Sequence, residues 1–176
     1  MIKNGGKGNS TVTGILYEEK VDILNSLDTV EGYSIKNKSE IFYDGEKIAS
    51  AYPKSKLYSE FLNEKGVKYK SRIGRKILPD QAIFIESTET MNIIEVKKQT
   101  VAGSVDEKIT TCHFKKQQYE KLLDGLVSKV EFIYCLSPYF DDVRYNDELS
   151  YINEVGCQYY FEEIPLNALE LPDNSR

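Results

Sequence analysis

The amino-acid sequence predicts one α/β domain, residues 1–176, whose mixed central sheet is flanked by helices. Three observations support this prediction. Two apolar segments, 82–86 and 91–97, are separated by a short polar connection, which predicts an antiparallel hairpin. Residues 130–136 are almost continuously apolar, as is typical of a parallel strand buried on both faces. The helical pattern over residues 104–127 would then join strands 91–97 and 130–136 as a right-handed βαβ unit.

Composition and cysteine content exclude several classes of protein. The chain is 40% hydrophobic and 29% charged, and it contains no apolar run near the roughly 20 residues of a membrane span. Its cysteines, Cys112, Cys135 and Cys157, are far apart and form no zinc-binding pattern. The only histidine is His113, so a histidine-rich metal site is excluded. We expect a cytoplasmic protein with reduced thiols and no membrane association.

The distribution of charge is more informative than the net charge of −5. A basic segment without acidic residues leads directly toward Asp80, and it contains Lys65, Lys68, Lys70, Arg72, Arg75 and Lys76. A basic approach to a carboxylate suits a polyanionic substrate, and Lys70, Arg72, Arg75 and Lys76 are the expected contacts to it. The alternative is a solvated loop whose charges face water.

The predicted hairpin brings three chemically active side chains together. If Glu86 lies opposite Met91, then Asp80 lies opposite Lys97. Because side chains alternate across a strand, Asp80, Glu95 and Lys97 then emerge on one face. Two carboxylates can hold a Mg²⁺ ion that keeps several waters, and a lysine can orient a water or offset phosphate charge. The alternative is an ion pair at a sheet edge.

These residues carry a resemblance to a known superfamily. Pro79-Asp80, a gap of fourteen residues and Glu95-Val96-Lys97 resemble the motif of the PD-(D/E)XK nucleases, which include type II restriction endonucleases, junction resolvases and repair nucleases. The resemblance implies a restriction-endonuclease-like core. It also implies that Asp80 and Glu95 bind Mg²⁺ and that Lys97 assists the attacking water.

Two flanking segments extend the resemblance. An apolar stripe predicts a helix over residues 14–28, and the first helix of such nucleases often supplies a glutamate to the metal, which here would be Glu18. After the predicted catalytic strand, Ser104-x-x-Glu107 is a capping box that opens a helix, so Gln99 and Ser104 are expected near a phosphate. The alternatives are a solvent-facing Glu18 and a purely structural cap at Ser104.

The remaining segments predict how the domain is organised. Residues 1–13 are polar and glycine-rich, which predicts a flexible arm. Residues 32–66 are expected to be an insertion between the first helix and the sheet, and residues 67–73 to be the first strand of that sheet. The acidic residues 166–176 predict a loose tail.

The function expected from these features is Mg²⁺-dependent hydrolysis of phosphodiester bonds in double-stranded DNA. Within that class, a sequence-specific type II restriction endonuclease is the first expectation, acting as a homodimer because one active site cuts one strand. Two alternatives stay open. One is a repair, recombination or mobile-element nuclease of the same fold, and the other is a catalytically idle relative that only binds DNA.

Overall fold

The computed structural model describes residues 14–16, 23–100 and 107–173. The strands are β1 (Gly14–Leu16), β2 (Tyr33–Lys36), β3 (Glu40–Tyr43), β4 (Glu46–Ala51), β5 (Gln81–Ile85), β6 (Thr90–Lys97), β7 (Lys129–Leu136), β8 (Gln158–Phe161) and β9 (Glu163–Pro165). The α-helices are α1 (Ile23–Leu27), α2 (Cys112–Leu123) and α3 (Asn146–Glu154). Shorter helical turns are a π-helix, Leu57–Leu62, and the 3₁₀ turns Tyr69–Ser71, Glu107–Thr111, Pro138–Phe140, Val143–Tyr145 and Leu166–Leu169.

In the described part of the chain, seven strands form one mixed sheet in the order β2-β3-β4-β5-β6-β7-β8. Neighbours from β2 to β6 are antiparallel, whereas β6-β7 and β7-β8 are parallel. Strands β1 and β9 form a separate antiparallel pair. The predicted α/β class with a mixed central sheet is therefore confirmed.

The sheet separates two hydrophobic cores, and side-chain alternation assigns residues to each. On one face, Ile93 and Phe132 pack beneath α2, where the Phe132 ring lies 6.4 Å from that of Tyr119. On the other face, Ile94 and Ile133 pack with α1 and the C-terminal segment. Burial on both faces explains why β6 and β7 are apolar nearly throughout.

Three local predictions differ from the structure. Residues 14–28 are not one helix, because Gly14–Leu16 pairs with β9 and helix α1 covers only Ile23–Leu27. Residues 67–73 contain the 3₁₀ turn Tyr69–Ser71 and no strand. Residues 32–66, expected to be an insertion, supply three strands of the sheet itself, because β4 pairs directly with β5.

The predicted loose tail at residues 166–176 is wrong for the part that the structure describes. Leu166, Leu169 and Leu171 are buried in the core beside α1. The buried Asn92 amide of β6 donates a hydrogen bond to the Leu169 carbonyl over 3.0 Å. Acidic residues beside these leucines suggested a solvated tail, but the leucine spacing places one apolar side of the chain against the sheet.

This packing predicts a large cost for Leu169→Ala, about 2–5 kcal/mol in the free energy of unfolding, because it leaves a cavity in a closed core. Leu78→Ala is the matched control, since the Leu78 side chain is 51% exposed, and its cost should stay within about 0.5 kcal/mol. Chemical denaturation measures both. Equal, small costs for the two substitutions would contradict this packing and would indicate that residues 166–173 form a loose tail.

Candidate active site

The observed hairpin keeps the predicted face but not the predicted register. Met91 pairs with Phe84 rather than with Glu86, and Gln81 pairs with Ile94. The shift is two places, and a shift of two preserves which face each side chain occupies. Asp80 immediately precedes the first paired residue of β5, so continuation of the register places it across from Glu95 rather than Lys97.

Asp80 is attached to the end of β6 by a hydrogen bond to the backbone. Its Oδ2 accepts from the N–H of Val96 over 2.9 Å. This N–H lies between the two candidate residues of β6, Glu95 and Lys97. The hydrogen bond therefore anchors the Asp80 carboxylate beside them, while the side chain stays partly exposed.

Glu95 is a buried carboxylate bound by two ammonium groups. It is 3% exposed. Lys97 Nζ lies 2.8 Å from its Oε2, and Lys115 Nζ donates to Oε1 over 2.8 Å and to Oε2 over 2.6 Å. A buried carboxylate is costly unless it is paired and hydrogen-bonded, and these contacts satisfy both oxygens.

Lys115 was not identified from the sequence. Helix α2 buries Cys112, Tyr119 and Leu122, and Lys115 follows the same helical spacing on the buried side. A lysine on the apolar face of a helix is uncommon unless it is paired, so the position of Lys115 in the sequence indicates that it has a partner. Its partner could not be read from the sequence, because nothing local specifies how α2 lies across β6.

Two buried tyrosines border this cluster. Burial chiefly, and the negative charge of Glu95 next, raise the pKa of the Tyr119 and Tyr134 phenols well above the ordinary value. Tyr119 donates to the Ile77 carbonyl over 3.0 Å, and the Tyr134 ring centroid lies 5.9 Å from Lys97 Nζ. Both phenols therefore stay protonated and neutral, and they shield the cluster from water on the helix side.

The donor set is compatible with Mg²⁺. Within the described residues, no group of three or more acidic, histidine or cysteine side chains could hold a metal ion. Asp80 and Glu95 supply two carboxylates, and Mg²⁺ commonly uses one or two while keeping its waters. Asp80 uses only Oδ2 in its hydrogen bond to Val96. A cation at Glu95 would take the place of one of the two ammonium groups.

Of the remaining predicted residues, Glu18 and Ser104 lie outside the described residues. The Gln99 N–H donates to Ser137 Oγ over 3.1 Å, and the Ser137 hydroxyl donates back to the Gln99 carbonyl over 3.2 Å. The backbone at Gln99 is therefore fixed to the end of β7. Both contacts involve only the backbone of Gln99, so the phosphate contact predicted for its side chain stays a prediction.

The basic segment has one residue with a structural role. Arg72 Nη1 donates to the carbonyls of Leu122 and Asp124 over 2.9 and 2.6 Å, which caps the C-terminal end of α2. Lys70, Arg75 and Lys76 are exposed. We therefore keep Lys70, Arg75 and Lys76 as candidate DNA contacts and assign Arg72 to the fold.

Comparisons with known proteins identify no relative: no family model, no curated protein and no solved structure matches this chain. The class that fold and site define is an α/β protein with two carboxylates at one end of its sheet, of which Glu95 is bound by two lysines. Among the described helices, none is long and apolar enough to cross a membrane.

The cluster makes a testable energetic prediction. Lys115→Met should lower the free energy of unfolding by about 1–3 kcal/mol, because the buried Glu95 keeps only one ammonium partner. In a Glu95→Gln background the same change should cost much less. Lys121→Met, an exposed position on α2, is the control and should have little effect in either background. Equal costs of Lys115→Met in both backgrounds would show that the two side chains are not coupled.

Proposed function

We propose that this protein is a Mg²⁺-dependent endonuclease that hydrolyses phosphodiester bonds in double-stranded DNA, as a type II restriction endonuclease does. One observation carries the proposal. Two carboxylates and an ammonium share one face at one end of the sheet, with Asp80 bonded to Val96 N–H over 2.9 Å and Lys97 2.8 Å from Glu95. The position of these three residues around the end of β6 supports the proposal.

The arrangement of elements around the cluster supports a restriction-endonuclease-like core. Strands β4, β5 and β6 are antiparallel, β7 and β8 continue the sheet in parallel, and α2 links β6 to β7. The cluster lies where β6 ends, beneath the helix that follows it. Asp80 and Lys97 are partly exposed there, whereas Glu95 is buried.

In this proposal, the chain's own groups divide the reaction between them. Asp80 and Glu95 would hold the Mg²⁺ ion, which lowers the pKa of a bound water and offsets charge on the phosphate when present. Lys97 donates a hydrogen bond to the attacking water or to a phosphate oxygen. Attack by the water oxygen forms one P–O bond as the ester P–O bond breaks; the attacking water releases a proton to solvent, and the departing oxygen takes up a proton from solvent.

The charge distribution supports DNA as the substrate. The chain carries a formal charge of −5, so binding by overall attraction to DNA is disfavoured. Lys70, Arg75 and Lys76 are exposed along the segment that leads to Asp80. Their position directs the phosphate backbone toward the carboxylates. Cutting both strands would require two sites, and a two-fold homodimer supplies them.

A second candidate function has its own supporting observation. Both oxygens of Glu95 are already bound by Lys97 and Lys115, and the carboxylate is 3% exposed. If both lysines stay bound to Glu95, this carboxylate holds no metal ion, and the protein would bind DNA without cutting it. The same ion pairs that stabilise the fold would then have replaced the metal.

The cleavage assay separates these candidates. Plasmid DNA incubated with the protein and Mg²⁺ should be cut, and EDTA should prevent the cutting because the site loses its cation. Discrete bands indicate a restriction enzyme, a smear indicates a nuclease with little sequence preference, and intact but retarded DNA indicates a binding protein. Intact, unretarded DNA would exclude both candidate functions.

Substitutions test the assigned roles. Asp80→Asn and Glu95→Gln should each lower the cleavage rate by at least about a thousandfold, because each removes a metal ligand while preserving side-chain shape. Matched controls are Asp124→Asn and Glu120→Gln, two exposed positions on or next to α2, and both should cut normally. Retained cutting by either site variant, with an unchanged melting temperature, would remove that residue from the metal site.

A further inference from the structure

A cavity of about 410 Å³ opens on the part of the chain that precedes Asp80. It lies between the helix Leu57–Leu62 and the basic segment that precedes β5. It is lined by Tyr58, Ser59, Leu62, Asn63, Val67, Lys68, Tyr69, Lys70 and Lys76. Its volume falls in the range of small-ligand sites, about 300–1,000 Å³.

The charged groups of the cavity are all of one sign. Among the residues that the structure describes, its lining includes three lysines, Lys68, Lys70 and Lys76, and no carboxylate. Lys76 Nζ lies 5.1 Å from the ring centroids of both Tyr58 and Tyr69, so two aromatic rings hold the ammonium in place. A site with preorganised positive charge and no counter-charge in its wall selects an anionic ligand.

The rest of the lining is apolar or amide-bearing. Leu62 and Tyr58 are buried beneath it, and the Tyr58 and Tyr69 rings meet edge to face at 5.7 Å. Ser59 and Asn63 add a hydroxyl and an amide at the rim. A phosphate alone would use only the lysines, whereas a nucleotide would also place its base against the aromatic and aliphatic wall.

The cavity is connected to the active site through one backbone carbonyl. The Ile77 carbonyl accepts hydrogen bonds from Tyr58 Oη over 2.7 Å and from Tyr119 Oη over 3.0 Å. Tyr58 Oη also accepts from the Ile77 N–H over 2.9 Å. Tyr119 borders Glu95, and Ile77 lies three residues before Asp80. The two sites are therefore neighbours on one rigid frame.

We propose that this cavity binds one unpaired nucleotide of the DNA, with its phosphate on the lysines and its base against the partly exposed Tyr69 and Val67 side chains. The proposal deepens the proposed function and rests on it, since the nucleotide belongs to the strand that reaches the carboxylates. Duplex DNA that also carries an unpaired nucleotide, at an overhang or flap, is then bound more tightly than a blunt duplex.

The test uses the full chain with Asp80→Asn, in EDTA, so that binding is measured without cutting. Two fluorescent DNAs are compared by anisotropy: a blunt duplex, and the same duplex with a short single-stranded flap. The flapped DNA should bind about tenfold more tightly, the size expected for one base stacked on an aromatic ring. Adding Lys76→Met or Tyr69→Leu should reduce that preference to less than about twofold.

The control is Lys121→Met, an exposed lysine on α2 outside the cavity, which should leave the preference unchanged. Melting temperatures verify that each variant is folded. Equal binding of the two DNAs, or a preference that survives both cavity substitutions in folded protein, would overturn the proposal. Thymidine 5′-monophosphate is the competitor: weak displacement, only at millimolar concentration, fits a DNA nucleotide, whereas displacement at the concentration that saturates DNA would assign the cavity to free nucleotides.

Cutting by the unmodified chain in Mg²⁺ separates this proposal from the proposed function. If both DNAs are cut but no flap preference is found, the cavity proposal fails and the nuclease stands. If neither DNA is cut but the preference depends on Lys76 and Tyr69, the nuclease fails and the cavity remains a nucleotide-binding site.

Discussion

The parallel pairing of β6 with β7 is the constraint on which the rest of the structure depends. The two strands pair along their full lengths, from Thr90 with Lys129 to Lys97 with Leu136. Parallel neighbours need a crossover, and α2 is the helix within it. Tyr119 packs this helix on Phe132 of β7, and the same docking positions Lys115 against Glu95. The strand pairing therefore determines both the centre of the fold and the composition of the cluster.

One carboxylate of the cluster, Glu95, both affects stability and is a candidate metal ligand. Glu95 is buried by the docking of α2, and burial without partners would be costly. Lys97 of β6 and Lys115 of α2 both stabilise it, and the Lys115 ion pair also fixes α2 relative to β6. A metal-binding role would use the same oxygens that these lysines hold. If Glu95 binds a metal ion as proposed, activity and folding depend on the same carboxylate.

The basic segment before β5 has no regular strand, yet it is firmly held. Tyr58 bonds to both backbone groups of Ile77, and Arg72 caps the C-terminal end of α2. These contacts anchor the segment at two points and leave Lys68, Lys70 and Lys76 around a common cavity. Positive charge is therefore presented from a fixed frame next to Asp80, although the whole chain is acidic.

The sequence by itself determined the central strands and the face of the candidate site. The apolar segments at β5, β6 and β7 and the polar turn between β5 and β6 specify an α/β sheet. Alternation along β6 places Glu95 and Lys97 together, and a two-place error in register did not change this, since the side-chain period is two. Glu18 and Ser104 lie outside the described residues, and their predicted roles stay predictions.

Only the tertiary structure decided the rest. Lys115 reached Glu95 because α2 docks across β6. Arg72 became a helix cap because Leu122 and Asp124 lie within its reach, and the leucines at residues 166–171 closed a core that their acidic neighbours had concealed. Each of these outcomes depends on contacts between residues far apart in the chain. Local periodicity and charge indicate which side of a helix or strand is apolar, but they do not specify which other element packs against that side.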